Sequence, residues 1–376
     1  MKKTTHKIYF ADSRDLSFIE SESVDLVVTS PPYPMIEMWD ELFKSFNGDI
    51  RKALDERRGA TAFNLMHLEL NKVWDHLYRI LKEGGIACIN IGDATRKLGD
   101  EFRLYSNHSR VLVYCSELGF STLPLILWRK QTNAPNKFMG SGMLPPGAYV
   151  TLEHEYILIL RKKGYRRFYT GEEKLNRQES SFFWEERNTW FSDIWDLKGT
   201  RQNLNHTEAR ERSGAFPFEI AYRLINMFSV KDDLVLDPFF GTGTTMYAAM
   251  ASERNSTGVE IDSGFKSYIE KKTPVIIDEL NRYTGERLQR HLDFVEQYKN
   301  TKGELKHTNI YYEFPVITSQ EKKLKLNYIE RIEKIDGPLP EYRITYLDRA
   351  ILKKSMVRDV EKLPFTASDD QLGLPF

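Results

Sequence analysis

The stretch Leu234-Val-Leu-Asp-Pro-Phe-Phe-Gly-Thr-Gly-Thr-Thr245 is an apolar run followed by a glycine-rich turn and then by a helical pattern. Glycine is needed where the backbone takes a positive φ or approaches a ligand closely, and Gly241 and Gly243 stand at this turn. Thr244 or Thr245 can cap the helix that follows, whose first amide groups favour an anionic group such as a carboxylate. The stretch therefore predicts a strand, a turn and a helix at the ligand-binding edge of an α/β sheet.

A second carboxylate follows this turn at a spacing typical of nucleotide-binding sheets. Glu260, within Gly258-Val-Glu-Ile-Asp262, lies 23 residues after Asp237. A carboxylate at the end of the next strand, about 20 residues on, commonly binds ribose hydroxyls. The turn has Gly-x-Gly after Asp-Pro-Phe instead of Gly-x-Gly-x-x-Gly, which argues against NAD and favours a ligand without a pyrophosphate. An ordinary strand–turn–helix corner is the structural alternative.

The segment Thr29-Ser-Pro-Pro-Tyr33 ends the buried-strand pattern Val24–Thr29. Two consecutive prolines lack N–H donors and hold the backbone extended, so their carbonyls and that of Ser30 are free to accept hydrogen bonds. Such acceptors beside the ring of Tyr33 suit a planar base with an exocyclic amine, on which the ring could stack. A rigid proline turn with Tyr33 in the core is the structural alternative.

Alternating β-branched runs and helical patterns over the first 130 residues predict an α/β fold with a mostly parallel sheet. Candidate strands are Lys7–Ala11, Val24–Thr29, Ile86–Ile91, Leu123–Trp128 and Tyr156–Leu160. A helical pattern at 68–81 is expected to end at Gly84-Gly85. No convincing helix precedes the last of these strands, so we expect it to pair antiparallel with its predecessor.

Regular α/β order resumes after an irregular aromatic stretch at about 164–205. The predicted elements there are a helix Phe218–Phe228, a strand Leu234–Leu236, a helix Thr244–Asn255 and a strand Thr257–Ile261. Helical patterns then reach about residue 300 and are broken near Pro274. Strand-like runs follow at Ile310–Val316 and Tyr342–Tyr346.

The chain has 376 residues, and its 54 Lys and Arg balance its 54 Asp and Glu. At about 100–200 residues per domain, this length allows two or three domains. Charged residues at 29% and hydrophobic residues at 41% exclude a disordered or collagen-like chain. The sequence shows neither a bilayer-spanning apolar run nor a signal-peptide core, so we expect a soluble cytoplasmic protein. Its two cysteines, Cys88 and Cys115, exclude a disulfide scaffold and a zinc ribbon.

Ser-Pro-Pro-Tyr near the N-terminus, with Asp-Pro-Phe-x-Gly-x-Gly-Thr-Thr near the end, resembles the amino-group DNA methyltransferases. The order resembles the permuted β group, in which the catalytic half precedes the half that binds S-adenosylmethionine. The resemblance covers roughly residues 6–270 and includes weaker segments at 79–85, 127–133 and 216–221. It implies a Rossmann-like methyltransferase fold with one antiparallel strand. The implied regions are a catalytic half 1–163, a target-recognition region 164–205, a cofactor half 206–300 and a C-terminal extension 301–376.

The resemblance also implies roles for individual residues. The methionine end of the cofactor would contact Asp237, Pro238, Phe239, Gly241, Gly243, Thr244 and Thr245, with Phe218 on the helix that closes over it. Glu260 would bind the ribose, and Asp12, after the first strand, would accept from the adenine amino group. Ser30, Pro31, Pro32 and Tyr33 would form the catalytic pocket. We expect residues 30 and 241 to lie on neighbouring lips of one crevice, and no metal site is predicted.

An exocyclic aromatic amine is a poor nucleophile because its lone pair is delocalised into the ring. Acceptors on its hydrogens favour the pyramidal form that can attack, and the Ser30 hydroxyl and the Pro31 carbonyl are the candidates. Asp93 is expected to orient Ser30 or to accept the released proton, unless it caps the next helix. Methylation at ring carbon needs a nucleophilic cysteine, and neither Cys88 nor Cys115 follows a proline as such cysteines commonly do.

With zero net charge, nucleic acid has to be bound by local basic clusters. The densest cluster has five basic residues in seven and opens the predicted target-recognition region: Arg161, Lys162, Lys163, Arg166 and Arg167. Further predicted DNA contacts are Arg129, Lys130, Asn133 and Lys137. The loop Pro135–Tyr149 is predicted to fold over the target. A solvated strand end followed by a small aromatic core is the alternative for 161–195.

In the family that the sequence resembles, Ser at the first position of the tetrapeptide usually accompanies cytosine N4, whereas Asp accompanies adenine N6. The prediction is therefore N4 methylation of a flipped cytosine in double-stranded DNA, with adenine N6 as the alternative. A cognate restriction endonuclease that acts separately is the expected partner. A DNA-binding S-adenosylmethionine sensor without catalysis, and an RNA or amide substrate, stay open as other interpretations.

Overall fold

A ten-stranded sheet organises the fold, and the computed structural model describes residues 1–130, 139–198 and 216–347. The strands, including those of three small hairpins, are β1 Lys3–Phe10, β2 Val24–Thr29, β3 Leu81–Ile91, β4 Ala94–Leu98, β5 Glu101–Tyr105, β6 Phe120–Arg129, β7 Met139–Gly140, β8 Ala148–Tyr149, β9 His154–Lys162, β10 Ile194–Asp196, β11 Leu234–Asp237, β12 Asn255–Glu260, β13 His307–Thr308, β14 Pro315–Val316, β15 Ile329–Ile335 and β16 Glu341–Tyr346. The helices in the same ranges are α1 Asp40–Phe46, α2 Gly48–Asp55, α3 Gly59–Ile80, α4 Asn107–Glu117, α5 Gly171–Glu179, α6 Trp184–Trp190, α7 Phe218–Phe228, α8 Thr244–Ala251, α9 Phe265–Lys272 and α10 Ile277–Lys302.

The strand order in the sheet is β10-β6-β9-β3-β2-β11-β12-β1-β16-β15. The central strands β3, β2, β11, β12 and β1 are all parallel to one another. β9 is antiparallel to both β3 and β6, which confirms the antiparallel pairing predicted for the strands near 123–128 and 156–160. The strand β16, at the predicted strand-like run Tyr342–Tyr346, pairs antiparallel with β1. The sequence did not predict this second antiparallel pairing. The result is the expected α/β sheet, with β2 and β11 as direct neighbours.

The central strands are apolar on both faces because helices cover both faces. All six residues of β2 are buried. Leu26 and Val28 belong to the core under α7 and α8, whereas Val27, one residue out of phase, belongs to the core under α3 and α4. Alternate residues of this strand therefore pack into two separate cores. Because both faces are covered, only the ends of the strand can contact a ligand.

Two predicted element boundaries are wrong for local reasons. Helix α3 ends at Ile80, and β3 begins at once because Leu81 takes an extended conformation, so Gly84 lies inside a strand instead of ending a helix. Within the predicted strand Ile310–Val316, the described structure is extended only at Pro315–Val316. The Asn309 side chain accepts from the backbone N–H groups of residues 311 and 312, and such Asn-centred turns compete with strand formation.

The chain continues as one body beyond the predicted boundary near residue 300. Helix α10 runs through that point to Lys302, and β15 and β16 then extend the main sheet past β1. Residues 301–347 therefore pack as part of the same α/β unit. Among the helices of the described ranges, none has the length and apolar character needed to cross a bilayer.

Residues 164–198 also belong to this body. The rings of Phe183, Trp190 and Trp195 are at most 4% exposed and lie in the cores. Arg287 of α10 donates to the Glu186 carboxylate of α6 at 2.6 and 2.7 Å. These three rings are therefore part of the protein interior and not of a DNA-facing surface, in agreement with the alternative of a small aromatic core.

Candidate active site

A cavity of about 690 Å³ opens at the carboxyl edge of the central strands. The predicted site residues in its lining are Asp12, Ser30, Pro31, Pro32, Tyr33, Lys130, Asp237, Pro238, Phe239, Gly241, Thr244 and Glu260. The turns after β2 and β11 meet there because these strands are parallel neighbours. The Thr29 hydroxyl donates to Asp237 at 2.7 Å and joins the two turns directly. The expectation that residues 30 and 241 lie at one crevice is confirmed.

Asp237 is the buried acceptor at the base of this cavity. Its carboxylate accepts from the hydroxyls of Thr29 and Thr245, each at 2.7 Å, and from the backbone N–H of Phe239 at 3.1 Å. Burial raises the pKa of Asp237 to about 6 although these donors oppose the shift. Thr245 therefore orients Asp237 from inside the protein and is absent from the cavity lining.

The glycine turn holds the second carboxylate. The N–H of Gly241 donates to Glu260 Oε2 at 2.7 Å, and the N–H of Asp262 donates to Oε1 at 2.8 Å. Burial raises the pKa of Glu260. At Gly241, with φ of 52°, a Cβ would meet no atom within 4 Å, so the backbone borders open space there. Gly243, with φ of 86°, is the N-cap of α8 and lies outside the cavity lining.

In the wall beside Glu260, where the Ala11 N–H donates to the Glu260 carbonyl at 2.9 Å, Asp12 forms an ion pair with Arg14. The Arg14 guanidinium donates to Asp12 Oδ2 at 2.9 Å from Nε and 2.6 Å from Nη2, to Asp12 Oδ1 at 3.1 Å from Nε, and to Glu69 at 2.7 Å. Although burial opposes it, the hydrogen bonds and charge of Arg14 lower the pKa of Asp12. This wall therefore presents an ionised carboxylate with a fixed orientation.

Ser30 lies at the end of a buried polar network. Tyr33 Oη donates to Glu155 Oε2 at 2.9 Å, and Asn90 Nδ2 donates to the same oxygen at 2.7 Å and to Tyr33 Oη at 2.8 Å. Lys130 Nζ donates to the other Glu155 oxygen. Ser30 Oγ lies 3.0 Å from Tyr33 Oη. Side chains from four separate segments thus meet in one network around the Glu155 carboxylate.

This network fixes the role of each hydroxyl. Burial and the Glu155 charge raise the pKa of Tyr33 well above its ordinary value, so the phenol keeps its proton. Because Tyr33 gives that single proton to Glu155, the Ser30 hydroxyl has to donate to Tyr33. Asn90 Nδ2 also donates to Ser30 Oγ in a long hydrogen bond of 3.5 Å, and the other lone pair of Ser30 Oγ is left to accept from a group in the cavity.

Asp93 and Phe218 do not have their predicted roles. The Asp93 carboxylate accepts from the backbone N–H of His108 at 3.1 Å and bonds its ring at 2.8 Å, so it caps helix α4, as the alternative had it. The ring of Phe218 packs in the core against Tyr222 and Tyr283. Phe216, two residues earlier, lines the cavity in its place.

The basic cluster at 161–167 lies at the amino edge of the central strands, away from the cavity. Because β9 is antiparallel, it ends beside the start of β3, where Lys162 Nζ donates to the Leu81 carbonyl at 2.7 Å. Arg166 donates to Asp233, just before β11 begins. Arg161, Lys163 and Arg167 belong to the same stretch. The cluster therefore lies at the edge opposite the cavity, and its contact with DNA stays a prediction.

The remaining predicted DNA contacts have mixed outcomes. Arg129, at the end of β6, lies at the carboxyl edge near Glu153 and Asp196. Lys130 lines the cavity and bonds Glu155. Asn133 and Lys137 lie outside the described residues, as do the first residues of the predicted loop Pro135–Tyr149.

Sequence reasoning missed Asn90 and Glu155. A usable signal existed for Asn90, because it is a polar residue inside the apolar run Ile86–Ile91 and a buried amide needs partners. Glu155 is the second residue of β9, at the carboxyl edge of the central strands. Nothing in the neighbouring sequence indicates that Tyr33 is its partner.

Comparisons with known proteins agree with this site. The family model described as DNA methylase matches residues 24–271. The chain is 52% identical over 335 residues to the type II methyltransferase M.MthZI of Methanothermobacter thermautotrophicus, covering 89% of this chain and 93% of that protein. It is 52% identical over 280 residues to the type II methyltransferase M.MjaI of Methanocaldococcus jannaschii, covering 72% and 91%. A candidate DNA modification methylase of Thermus thermophilus, TTHA0409, solved with S-adenosyl-L-methionine, shares the fold at TM-score 0.55 and 31% identity over 71% of this chain and 94% of that one. The chain therefore belongs to the DNA methylase family.

Proposed function

We propose that the protein transfers a methyl group from S-adenosyl-L-methionine to the exocyclic N4 amine of a cytosine in DNA. The observation that carries the proposal is the arrangement around Ser30, which lines the cavity, gives its hydroxyl proton to Tyr33 and keeps a lone pair for a donor in the cavity. An acceptor held in this way suits an aromatic amine, which has hydrogens to donate and becomes nucleophilic as its nitrogen turns pyramidal.

The cavity fits S-adenosyl-L-methionine in size and in chemistry. Its volume of about 690 Å³ is in the range of small-molecule sites, and Gly241 leaves open space beside Glu260. The carboxylates of Asp237, Glu260 and Asp12 would hold the ammonium, the ribose hydroxyls and the adenine amine, in the order that the sequence predicts. When bound, this cofactor supplies a methyl group activated by a positively charged sulfur.

The protein's own side chains and carbonyls then have to orient the amine for attack on this methyl group. Ser30 Oγ and the Pro31 carbonyl accept the two amine hydrogens and aim the nitrogen lone pair. Tyr33 and Glu155 keep Ser30 oriented. The methylated amine loses its proton readily, so no strong base is needed, and burial raises the pKa of Cys88 and Cys115 far from that of a nucleophilic thiol. A base inside a duplex cannot reach Ser30, so the cytosine is flipped out of the stack.

The choice of cytosine rests on Ser30 itself. In the family that the tetrapeptide resembles, Ser at this position usually accompanies cytosine N4 and Asp usually accompanies adenine N6. The test is expression in a methylation-deficient host, digestion of the host DNA to nucleosides and identification by mass. We expect N4-methyldeoxycytidine. N6-methyldeoxyadenosine alone would contradict the base assignment, and no modified base would favour the non-catalytic sensor.

We also propose that the protein is the modification half of a type II system, since both relatives at 52% identity carry the name of type II methyltransferases. Its partner would be an endonuclease that recognises the same sequence and acts separately. DNA from the expressing host should then resist a nuclease of that specificity while DNA from the parent host is cut.

A further inference from the structure

Two hairpins stand beside the cavity at the carboxyl edge of the sheet. The first, β4–β5, follows the end of β3, and its Arg96 donates to the Asp40 carboxylate at 2.8 and 2.6 Å. Asp40 directly follows Trp39, which lines the cavity. The first hairpin is therefore fixed to the cavity wall.

The second hairpin, β7–β8, lies between the end of β6 and the start of β9, which are both at this edge. It packs on the first hairpin through Tyr149, whose ring stacks on Phe102 with centroids 4.5 Å apart and planes at 19°. A chain of contacts thus runs from the cavity wall through one hairpin to the other. Together we call them the two-hairpin surface.

The two-hairpin surface exposes large apolar side chains. Leu104 is 46% exposed on the first hairpin, and Met143 and Leu144, at the tip of the second, are 84% and 72% exposed. From Met139 to Leu152 the second hairpin and its flank carry no charged side chain. An exposed apolar group beside a functional cavity is typical of an interaction surface.

We propose that the two-hairpin surface contacts the DNA duplex and that Met143 and Leu144 insert between base steps where the target base has left the stack. This inference rests on the proposed function, because it takes DNA as the substrate. Extruding a base costs stacking energy, and apolar side chains that enter the duplex offset part of it. Lys97 and Arg103 are exposed on the first hairpin, but the exposed Asp100 and Glu101 balance them, and Glu101 lies 3.4 Å from Arg103. The inference therefore rests on the exposed apolar side chains and on their place beside the cavity that the target base has to enter.

Site-specific crosslinking tests the location. The full chain, with p-benzoylphenylalanine in place of Leu144, is irradiated with sheared duplex DNA from the methylation-deficient host. A matched protein carries the same group at Val275, which is 74% exposed between α9 and α10. We expect a protein–DNA product from position 144 and none from position 275. Protein–protein products alone from position 144 would assign the surface to a second copy of the chain and overturn the inference.

The double variant M143S/L144S tests the insertion. We expect methyl transfer to duplex DNA to fall by roughly tenfold, with unchanged affinity for S-adenosyl-L-methionine, because only base extrusion is affected. The matched control V275S should behave like the unmodified protein. If the unmodified protein methylates DNA and the double variant does so equally well, the insertion is wrong. If the unmodified protein methylates no DNA, the proposed function is what fails.

Discussion

Glu155 lines the cavity and shows how one residue can organise the groups around it. Its carboxylate accepts from Tyr33, Asn90 and Lys130, and Asn90 reaches Ser30 Oγ only in a long hydrogen bond of 3.5 Å. The lysine also balances the charge that burial would otherwise penalise. The direction of every hydrogen bond up to Ser30 follows from this one acceptor.

Replacing Glu155 with Gln should lower kcat by about tenfold while leaving KM for S-adenosyl-L-methionine unchanged. The amide keeps the shape but can donate as well as accept, so Tyr33 and Ser30 lose their fixed roles. The measurement is a steady-state titration with cofactor and with DNA separately. Glu153→Gln is the matched control, because Glu153 is half exposed and lies 3.9 Å from Arg129. A change in cofactor KM alone would contradict the positioning role.

At the scale of elements, the strand β9 decides which basic residues can meet DNA. Replacing the exposed Lys163 and Arg167 by Ala should leave the salt dependence of DNA binding unchanged, because both follow β9 at the amino edge. Arg129→Ala, at the carboxyl edge, should reduce the slope by about one phosphate contact. Fluorescence anisotropy over a salt series measures both. A flatter slope for the amino-edge pair would place the DNA on that side of the molecule.

The strand β12 packs against the glycine turn through the contact of Gly258 with the ring of Phe240. A Cβ at Gly258 would lie 2.1 Å from the buried ring of Phe240, so Gly258→Ala has to displace the ring and the turn that carries Gly241. We expect a loss of about 1–3 kcal/mol in unfolding free energy, together with weaker cofactor binding. Denaturant unfolding and calorimetry measure the two effects.

The control for this change is Gly171→Ala. A Cβ there meets no atom within 4 Å, and the residue is the first of helix α5. It should leave both quantities nearly unchanged. Normal cofactor affinity in the Gly258 variant would show that the turn does not depend on Phe240.

The two turns could be predicted from sequence because each is local: a strand, then glycines or prolines, at a fixed spacing. Glu155 could not, since its contact with Tyr33 joins residues 122 positions apart. The position of the basic cluster could not be predicted from its composition either. A run of charges says nothing about which edge of a sheet it occupies, although the antiparallel pairing predicted for β9 already places its end away from the carboxyl edge. The cap formed by Asp93 depends on His108, whose position follows from the hairpin between them.

At the scale of the whole molecule, buried carboxylates link ligand binding to pH. The pKa of Asp237 rises from 3.8 to about 6 in the folded protein, so its acid form is favoured there. Ionising it therefore costs stability as the pH rises through this interval. A cation bound to the ionised group offsets that cost. The gain in melting temperature from S-adenosyl-L-methionine should be larger at about pH 7 than at about pH 5, and thermal unfolding at both pH values measures it. Equal gains would contradict the role of Asp237.

The contacts between α6 and α10 limit which segments of the chain can be exchanged without loss of stability. One could exchange residues 164–198 for those of a relative to change the DNA sequence that is modified. A replacement without Glu186 would leave the Arg287 guanidinium, which is 1% exposed, buried without its carboxylate partner. Such chimeras would be expected to unfold before they reveal any new preference. Grafts confined to the tip around Met143 and Leu144, whose side chains are 84% and 72% exposed, would leave the interior intact.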